Sequence, residues 1–259
     1  MRRRIHLFEF HDQSWFPADL RNAATAYLET LSRLTRAHDS MVPYVKKALD
    51  QTGARQLVDL CSGGTGPVVE IARELGRQGA PSRVLLTDKF PNLERFERAK
   101  RQLPGMVEFN SRPVDATAVG PELSGVRTII NAFHHFRPAA ARSVLQDAMK
   151  ARQGIVIAEL SERNVPNILS FFFIPLMVLV LMPLIRPVRW SWLLFTYVIP
   201  VLPLVIAWDG LVSHLRVYNE AELRELTAGL DERYQWSYSR VRLGSSPAYF
   251  SVLTGLPTN

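Results

Sequence analysis

The sequence predicts a doubly wound α/β domain that carries an N-terminal helical lid and an inserted hydrophobic hairpin. Between residues 54 and 160, short apolar runs alternate with segments of helical period, and a glycine-rich turn follows the first apolar run. Residues 165 to 208 then interrupt the pattern with only two charges, after which a helix and two alternating segments follow. Alternating strands and helices predict a parallel sheet that is covered on both faces.

Composition limits the class of protein. A chain of 259 residues, 47% hydrophobic and 21% charged, predicts one large or two small globular domains. The single cysteine, Cys61, cannot form an internal disulfide, which fits a reducing compartment. The N-terminal MRRR is followed by the polar FEFHDQ, so no export signal is expected. The net charge is +7, and the basic residues are not interleaved with aromatic residues as in a nucleic-acid-binding surface. This pattern favours anionic lipid over nucleic acid as the partner.

The elements follow in order. Helical spacing predicts helices over 17 to 36 and about 40 to 52. Five strands are predicted in RQLVDLC, SRVLLTD, MVEFNSRPVDA, VRTIINAF and GIVIAEL, and the third ends at an aspartate. The helices between them are predicted in PVVEIARELGRQG, NLERFERAKRQL and PAAARSVLQDAMKA. NEAELRELTAGL predicts a last helix, and YQWSYSRVRL and AYFSVLTGL predict an antiparallel hairpin around GSSP. The predicted domains are 1–53 (cap), 54–163 (α/β core), 164–209 (hairpin) and 210–259 (completion of the core).

Polar residues follow four of these strands. In an open α/β sheet, ligands bind at the carboxyl ends of the strands. The candidates are the loop VDLCSGGTGP, Asp88 about twenty residues later, Asp115, and Asn131 with the following FHH. A tight turn or a helix cap accounts for each one alone. Four such sites at successive strand ends favour a ligand-binding edge.

These segments resemble the class I S-adenosylmethionine-dependent methyltransferases over residues 54 to 160 and again from about 219 to 256. The resemblance implies a Rossmann-like seven-stranded sheet and S-adenosyl-L-methionine as cofactor. Asp59, Gly63, Gly64 and Gly66 would then hold the methionine part, Asp88 the ribose, and Asp115 with Ala116 the adenine. Ser62, Lys89, Asn131 and Phe133 complete the predicted cofactor site. The family commonly has glycine where Cys61 stands, which leaves the path of the loop open.

His134 and His135 are candidate general bases, because an imidazole of near-neutral pKa can take a proton from the methyl acceptor. The alternative is that both line the site, since displacement at a sulfonium depends mainly on alignment. No metal site is expected: adjacent histidines are predicted to point in different directions, and the lone cysteine has no paired ligand.

The apolar insertion predicts membrane association. Val165 to Ile185 and Trp190 to Trp208 are each long enough for a span, and aromatic residues lie towards the ends of the second segment. With a catalytic part that faces the cytoplasm, a spanning hairpin would carry Arg186 and Arg189 to the far side, and prolines interrupt both segments. A spanning hairpin, a re-entrant hairpin and a buried layer or oligomer interface all stay open.

A lid and a function complete the predictions. Trp15, Phe16, Tyr27 and Asp209 are predicted to contact substrate or close the site, with a helix cap or an interfacial turn as the alternative. The leading hypothesis is methyl transfer to a membrane-associated small hydrophobic molecule such as a lipid, quinone or isoprenoid-like compound. The alternatives are a non-catalytic membrane module, an NAD-dependent Rossmann enzyme and a nucleic-acid methyltransferase, for which no Asn-Pro-Pro-Tyr motif is present.

Overall fold

The computed structural model describes residues 4–242 and 249–258, apart from the side chains at 165, 166 and 170. The chain forms two compact units. Arg36–Leu160 with Asn219–Asn259 make the α/β unit, and Met1–Thr35 with Ser161–Tyr218 make the helical unit. The predicted cap of 1–53 is thus divided: its first helix groups with the apolar insertion, and its second helix belongs to the α/β unit.

A seven-stranded sheet forms the centre of the α/β unit. Its strands are β1 (Gln56–Asp59), β2 (Arg83–Leu86), β3 (Val107–Phe109), β4 (Val126–Ile130), β5 (Ile155–Glu159), β6 (Tyr234–Arg242) and β7 (Tyr249–Pro257). The order is β3-β2-β1-β4-β5-β7-β6, and the neighbours from β3 to β5 pair in parallel. β7 lies antiparallel between β5 and β6, which confirms the predicted terminal hairpin. The GSSP segment between its strands lies outside the described residues.

The helices of this unit are α2 (Val42–Thr52), α3 (Val68–Arg77), α4 (Leu93–Gln102), α5 (Pro138–Lys150) and α10 (Glu220–Thr227). Each buries one apolar stripe; in α3 the stripe includes Val68, Ile71 and Leu75, all fully buried. They pack into one core with the sheet residues. An asparagine caps α4, and Asn219 with Glu222 forms a capping box at α10.

The third strand is shorter than predicted. β3 ends at Phe109, so the prediction that Asp115 closes the strand is wrong. The side chain of Asn110 accepts a hydrogen bond from the Arg112 amide at 2.9 Å, which turns the chain, and Pro113 has no N–H for a ladder bond. Asp115 therefore lies in the loop that follows β3.

The helical unit packs the first helix against the apolar insertion. Its helices are α1 (Ala18–Thr35), α6 (Val165–Ser170), α7 (Ile174–Leu181), α8 (Trp190–Leu193) and α9 (Val201–Arg216). Leu20 and Tyr27 of α1 share a buried cluster with Val178, Trp192 and Leu202 of the insertion. One side of the insertion thus forms a core, as the buried-layer alternative predicted.

Neither arm of the insertion is one regular helix. The first arm passes through 3₁₀ turns at Phe171–Phe173 and Met182–Leu184, and the second contains a π-helical turn at Leu194–Val198. The second arm also bends by 83° between Trp190–Val198 and Val201–Arg216. Among the described residues, one helix, Asn167–Leu184, has the length and composition to cross a membrane, or two if the bent pair counts as one span.

Candidate cofactor-binding site

The glycine loop is fastened to the ends of three strands. The amide of Ser62 donates to the carbonyl of Thr87 beyond β2, and the amide of Leu60 donates to the carbonyl of Thr128 in β4. The carboxylate of Asp59 accepts from the hydroxyl of Thr128 at 2.5 Å and from the hydroxyl of Ser62 at 2.8 Å. Burial raises the pKa of the Asp59 carboxyl to about 7, although these two hydrogen bonds oppose the shift. Asp59 and Ser62 therefore stabilise the base of the loop.

Three residues of the loop have left-handed backbones. Cys61, Gly63 and Gly66 have φ of 64°, 56° and 54°, a region that only glycine enters without strain. Cys61 thus adopts a backbone conformation that favours glycine, the residue that the family resemblance gives at this position. Burial raises the pKa of its thiol, and the nearby carboxylates of Asp88 and Asp59 raise it further.

Asp88 connects the glycine loop to the end of β2. One carboxylate oxygen accepts from the Gly63 amide and the other from the Phe90 amide, both at 2.8 Å. Gly63 is exposed, and a Cβ built on it would meet nothing within 4 Å. The predicted methionine and ribose contacts therefore lie side by side, with open space next to the loop.

Asp115 forms the next part of the site. One oxygen accepts from the Lys89 ammonium at 2.8 Å, and the other accepts from the amide and the hydroxyl of Thr117. The bonds from Lys89 and Thr117 lower the pKa of Asp115 to about 2, so the residue is ionised at neutral pH. Ala116 beside it is buried. Lys89 and Asp115, both predicted site residues, thus bridge the loops after β2 and β3.

The segment after β4 is held by a glutamate. Asn131 has a φ of 53°, and a short 3₁₀ turn, Phe133–His135, follows it. Phe133 and His134 are buried, and the two oxygens of Glu159 lie 2.8 Å from the His134 amide and 2.7 Å from its Nδ1. The two imidazole rings lie 4.2 Å apart with an angle of 34° between them, so the prediction that they point in different directions is wrong.

Solved structures share this architecture. The plantazolicin methyltransferase BamL, in complex with a triazolic desmethylPZN analog and SAH, matches with a TM-score of 0.58 at 10% identity, over 94% of this chain and 93% of that one. The chain has the class I methyltransferase fold.

Two further matches have TM-scores of 0.49 and 0.48. They are the magnesium protoporphyrin IX methyltransferase ChlM from Synechocystis PCC 6803 with bound SAM (10% identity, 96% of this chain and 88% of that one) and the citrinin polyketide synthase CMeT domain (12% identity, 80% of this chain). The chain spans about half, 47%, of the latter structure. No protein-family profile and no curated protein matches the sequence.

The residues predicted for a lid lie outside the α/β unit that carries this class I methyltransferase fold. Phe16 and Tyr27 belong to the buried cluster of the helical unit, and only Trp15, 66% exposed, has the exposure expected of a lid. The carboxylate of Asp209 accepts from the amides of Phe10 and His11 at 2.7 and 3.1 Å. Asp209 therefore fastens the N-terminal segment to α9.

Sequence reasoning missed three residues of the site. Glu159 ends β5 inside an apolar run, Thr128 stands within β4, and Phe90 follows two polar residues. Glu159 and Thr128 are buried and hydrogen bonded to predicted site residues, whereas the Phe90 ring is 81% exposed beside Asp88. The sequence does hold a signal for Glu159: a carboxylate at the end of a buried strand needs a hydrogen-bond partner, which predicts a polar contact there.

Proposed function

We propose that the protein is a methyltransferase that uses S-adenosyl-L-methionine to methylate a hydrophobic, membrane-associated small molecule. The observation that carries the proposal is the hydrogen bond between the Gly63 amide and Asp88 in a sheet of the class I methyltransferase order. It puts a loop without side chains and a carboxylate at adjacent strand ends, where this fold receives ligands.

The residues present fit the cofactor. Gly63 leaves room for a ligand to approach the backbone, and the Asp88 carboxylate keeps lone pairs for ribose hydroxyls. The exposed ring of Phe90, two residues after Asp88, offers an apolar face for the adenine. When bound, the cofactor would supply an electrophilic methyl group. BamL, whose fold matches, was solved with SAH.

The protein's own contribution to the transfer would be alignment and a place for the proton. In-line displacement at a methyl group depends on holding the acceptor behind it and excluding water. Phe133 is a buried apolar side chain after β4, and the adjacent imidazoles of His134 and His135 are the candidate proton acceptors beside it.

The proposed acceptor follows from the insertion. The chain leaves the α/β unit at Leu160, one residue after Glu159, and enters a segment with large exposed apolar side chains. Large exposed apolar patches mark sites that contact a membrane or another protein. An acceptor dissolved in a membrane is the class of substrate that such a segment suits, and we propose that the protein is membrane-associated, with its α/β unit on the cytoplasmic side.

Calorimetric titration tests the cofactor. Detergent-purified protein is titrated with S-adenosylmethionine and with its demethylated product, beside Asp88→Ala and the control Asp50→Ala, an exposed aspartate of α2 paired with Lys46. We expect micromolar binding that Asp88→Ala weakens about tenfold or more, since hydrogen bonds to charged groups contribute about 1.5–3 kcal/mol. Asp50→Ala should bind like the parent protein. No binding by folded parent protein would overturn the proposal.

Transfer of a labelled methyl group then tests the acceptor. Membrane lipid extract and aqueous extract are incubated with the protein and methyl-labelled cofactor, and label should enter only the organic-soluble fraction. Binding of the cofactor without transfer to either fraction would favour the non-catalytic membrane module instead.

A further inference from the structure

The insertion exposes several large apolar side chains. We define this apolar face by Phe172, Leu176, Val180, Leu184, Trp190 and Val198, each more than half exposed, with Phe172 at 80% and Trp190 at 83%. The opposite side of the same helices supplies the buried cluster with α1. The apolar face is thus what remains after the helical unit has formed its own core.

The chemistry of this face fits a lipid surface. From 163 to 208 the sequence has no acidic residue, and its only charges are Arg163, Arg186 and Arg189. Arg186 is exposed near the apolar face, where it can meet anionic headgroups. Trp190 and Tyr197 are exposed aromatic residues of the kind that lie at a membrane interface. A lipid leaflet is therefore the occupant that both composition and charge favour.

The depth of insertion follows from what the hairpin tip contacts. Arg189 Nη1 lies 3.5 Å from Asp19 Oδ1, and the indole Nε1 of Trp192 donates to the same oxygen at 3.0 Å. Asp19 lies in the first turn of α1. The tip and the start of α1 must therefore lie at the same depth.

The composition of α1 does not suit a membrane span. It carries Asp19, Arg21, Glu29 and Arg33 along its 18 residues, and charged groups within a span are costly. A hairpin that reached the far side would have to take the first turn of α1 with it. The contacts of Asp19 instead keep the tip on the side where α1 lies.

The shape of the second arm leads to the same conclusion. The stretch Trp190–Val198 runs for about 14 Å at the rise of a helix, less than half of a hydrocarbon core of about 30 Å. The chain then turns by 83° into Val201–Arg216. Such a bend suits an arm that enters a membrane and turns within it.

We infer that the insertion enters one leaflet only, through the apolar face, and that the tip at Arg186–Arg189 stays on the side of α1. The inference rests on the membrane association in the proposed function and is independent of the methyl transfer. It decides between the spanning and the re-entrant hairpin that the sequence leaves open.

Cysteine labelling tests the position of the tip. In a Cys61→Ser background, Val188→Cys reports the tip and Arg33→Cys reports an exposed position on α1. Both are treated with a membrane-impermeant maleimide in right-side-out and in inverted vesicles of the expression host. We expect both cysteines to react in the same vesicle preparation. Reaction of the two cysteines in opposite preparations would show that the hairpin spans and would overturn the inference.

Vesicle sedimentation tests the apolar face. The double variant Phe172→Ser, Trp190→Ser should bind vesicles of mixed phosphatidylcholine and phosphatidylglycerol at least about tenfold more weakly. Each change removes a large apolar side chain that the lipid would otherwise bury. Leu93→Ser, at an exposed leucine of α4 in the α/β unit, is the matched control and should bind normally.

Two further readouts keep the failures separate. The first is the oligomeric state of the double variant. If the double variant became a monomer while the parent protein was an oligomer, and if its vesicle binding was unchanged, a second copy of the chain would cover the apolar face, and the inference would be overturned. Cofactor titration on the same variants reports the proposed function separately: loss of lipid binding with intact cofactor binding supports the inference, whatever the acceptor is.

Discussion

Glu159 holds His134 at two points, with one carboxylate oxygen 2.8 Å from the backbone amide and the other 2.7 Å from ring atom Nδ1. Both residues are buried; His134 lies in the turn after β4, and Glu159 is the last residue of the neighbouring strand β5. A carboxylate group accepts hydrogen bonds, so we assign the proton of this contact to Nδ1 of the imidazole. The backbone and the ring of His134 are thereby fixed together at the ligand end of the sheet.

Replacing this glutamate should cost stability. In Glu159→Gln the amide oxygen can accept one of the two bonds, and the amide nitrogen would face a donor. We expect the free energy of unfolding to fall by about 1–3 kcal/mol, the cost of an unsatisfied buried polar group. Urea denaturation measures it. Glu108→Gln, which affects an exposed ion pair with Lys100, should change stability by less than about 0.5 kcal/mol.

The tautomer gives an independent check on the same pair. Long-range proton–nitrogen correlation spectra of the parent protein should show His134 protonated at Nδ1, and Glu159→Gln should disturb that pattern. The signals of His38, in the 3₁₀ turn Ala37–Met41, should stay in place. A His134 ring protonated only at Nε2 in the parent protein would contradict the assigned role of Glu159.

Cys61 is strained where the loop needs glycine. An L-residue with a φ of 64° costs about 1–2 kcal/mol relative to glycine, offset in part by the greater freedom of glycine in the unfolded chain. We expect Cys61→Gly to be more stable than Cys61→Ala by about 1 kcal/mol, because alanine keeps the strain and removes the thiol. Urea denaturation of both variants decides the point, and equal stabilities would mean that the loop relaxes around residue 61.

The sequence predicts the sheet well because its signals are local. Each strand from β1 to β5 is an apolar run bounded by turn residues, and the terminal antiparallel strand comes from alternation in the last segment. Asp115 shows where such signals fail: MVEFNSRPVDA looks continuous, but the side chain of Asn110 and the ring of Pro113 end the strand early.

The sequence predicts the site residues that lie in loops, and it does not predict those whose role depends on contacts between strands. Asp88 and the glycines stand next to turn residues, so their role shows in the sequence. Glu159 looks like one more residue of a strand, and only the sheet brings it to His134. The tip contact of Asp19 with Trp192 joins residues 173 positions apart, and no local pattern records it.

Gly63 allows strain and cofactor contact to be separated. A Cβ at this position meets nothing within 4 Å, so Gly63→Ala should lose only about 1 kcal/mol of stability through its φ of 56°. The methyl group would fill the space beside the loop, so cofactor affinity should fall by more than this strain accounts for, about tenfold or more. Calorimetric titration and urea denaturation measure the two effects.

Gly76 is the matched control for that experiment. It lies near the end of α3 without a left-handed φ, and a Cβ there also meets nothing within 4 Å. Gly76→Ala should raise the free energy of unfolding by up to about 1 kcal/mol and leave cofactor binding unchanged. If Gly63→Ala bound the cofactor as tightly as Gly76→Ala, the loop would not be the cofactor contact.

Asp59 should make stability depend on pH near neutrality. Its folded pKa of about 7 lies above the value of 3.8 for an unperturbed aspartate, so the folded state binds the proton more tightly. The resulting stability is fully present below pH 3.8 and is lost as the pH rises through 7. Asp59→Asn is neutral at every pH, so the parent protein should lose stability relative to this variant between pH 4 and pH 8, by up to about 4 kcal/mol.

Urea denaturation at pH 5 and pH 8 measures this difference, with Asp50→Asn as the exposed control whose profile should follow that of the parent. Thr128 and Ser62 donate to the side chain at position 59 at both pH values, so in Asp59→Asn the side-chain amide of asparagine has to accept these bonds. This replacement lowers the stability of the variant by a similar amount at both pH values. The test therefore lies in the slope between the two pH values. Parallel profiles for the parent and Asp59→Asn would mean that the carboxyl beneath the glycine loop is ionised across the whole range, with water reaching it.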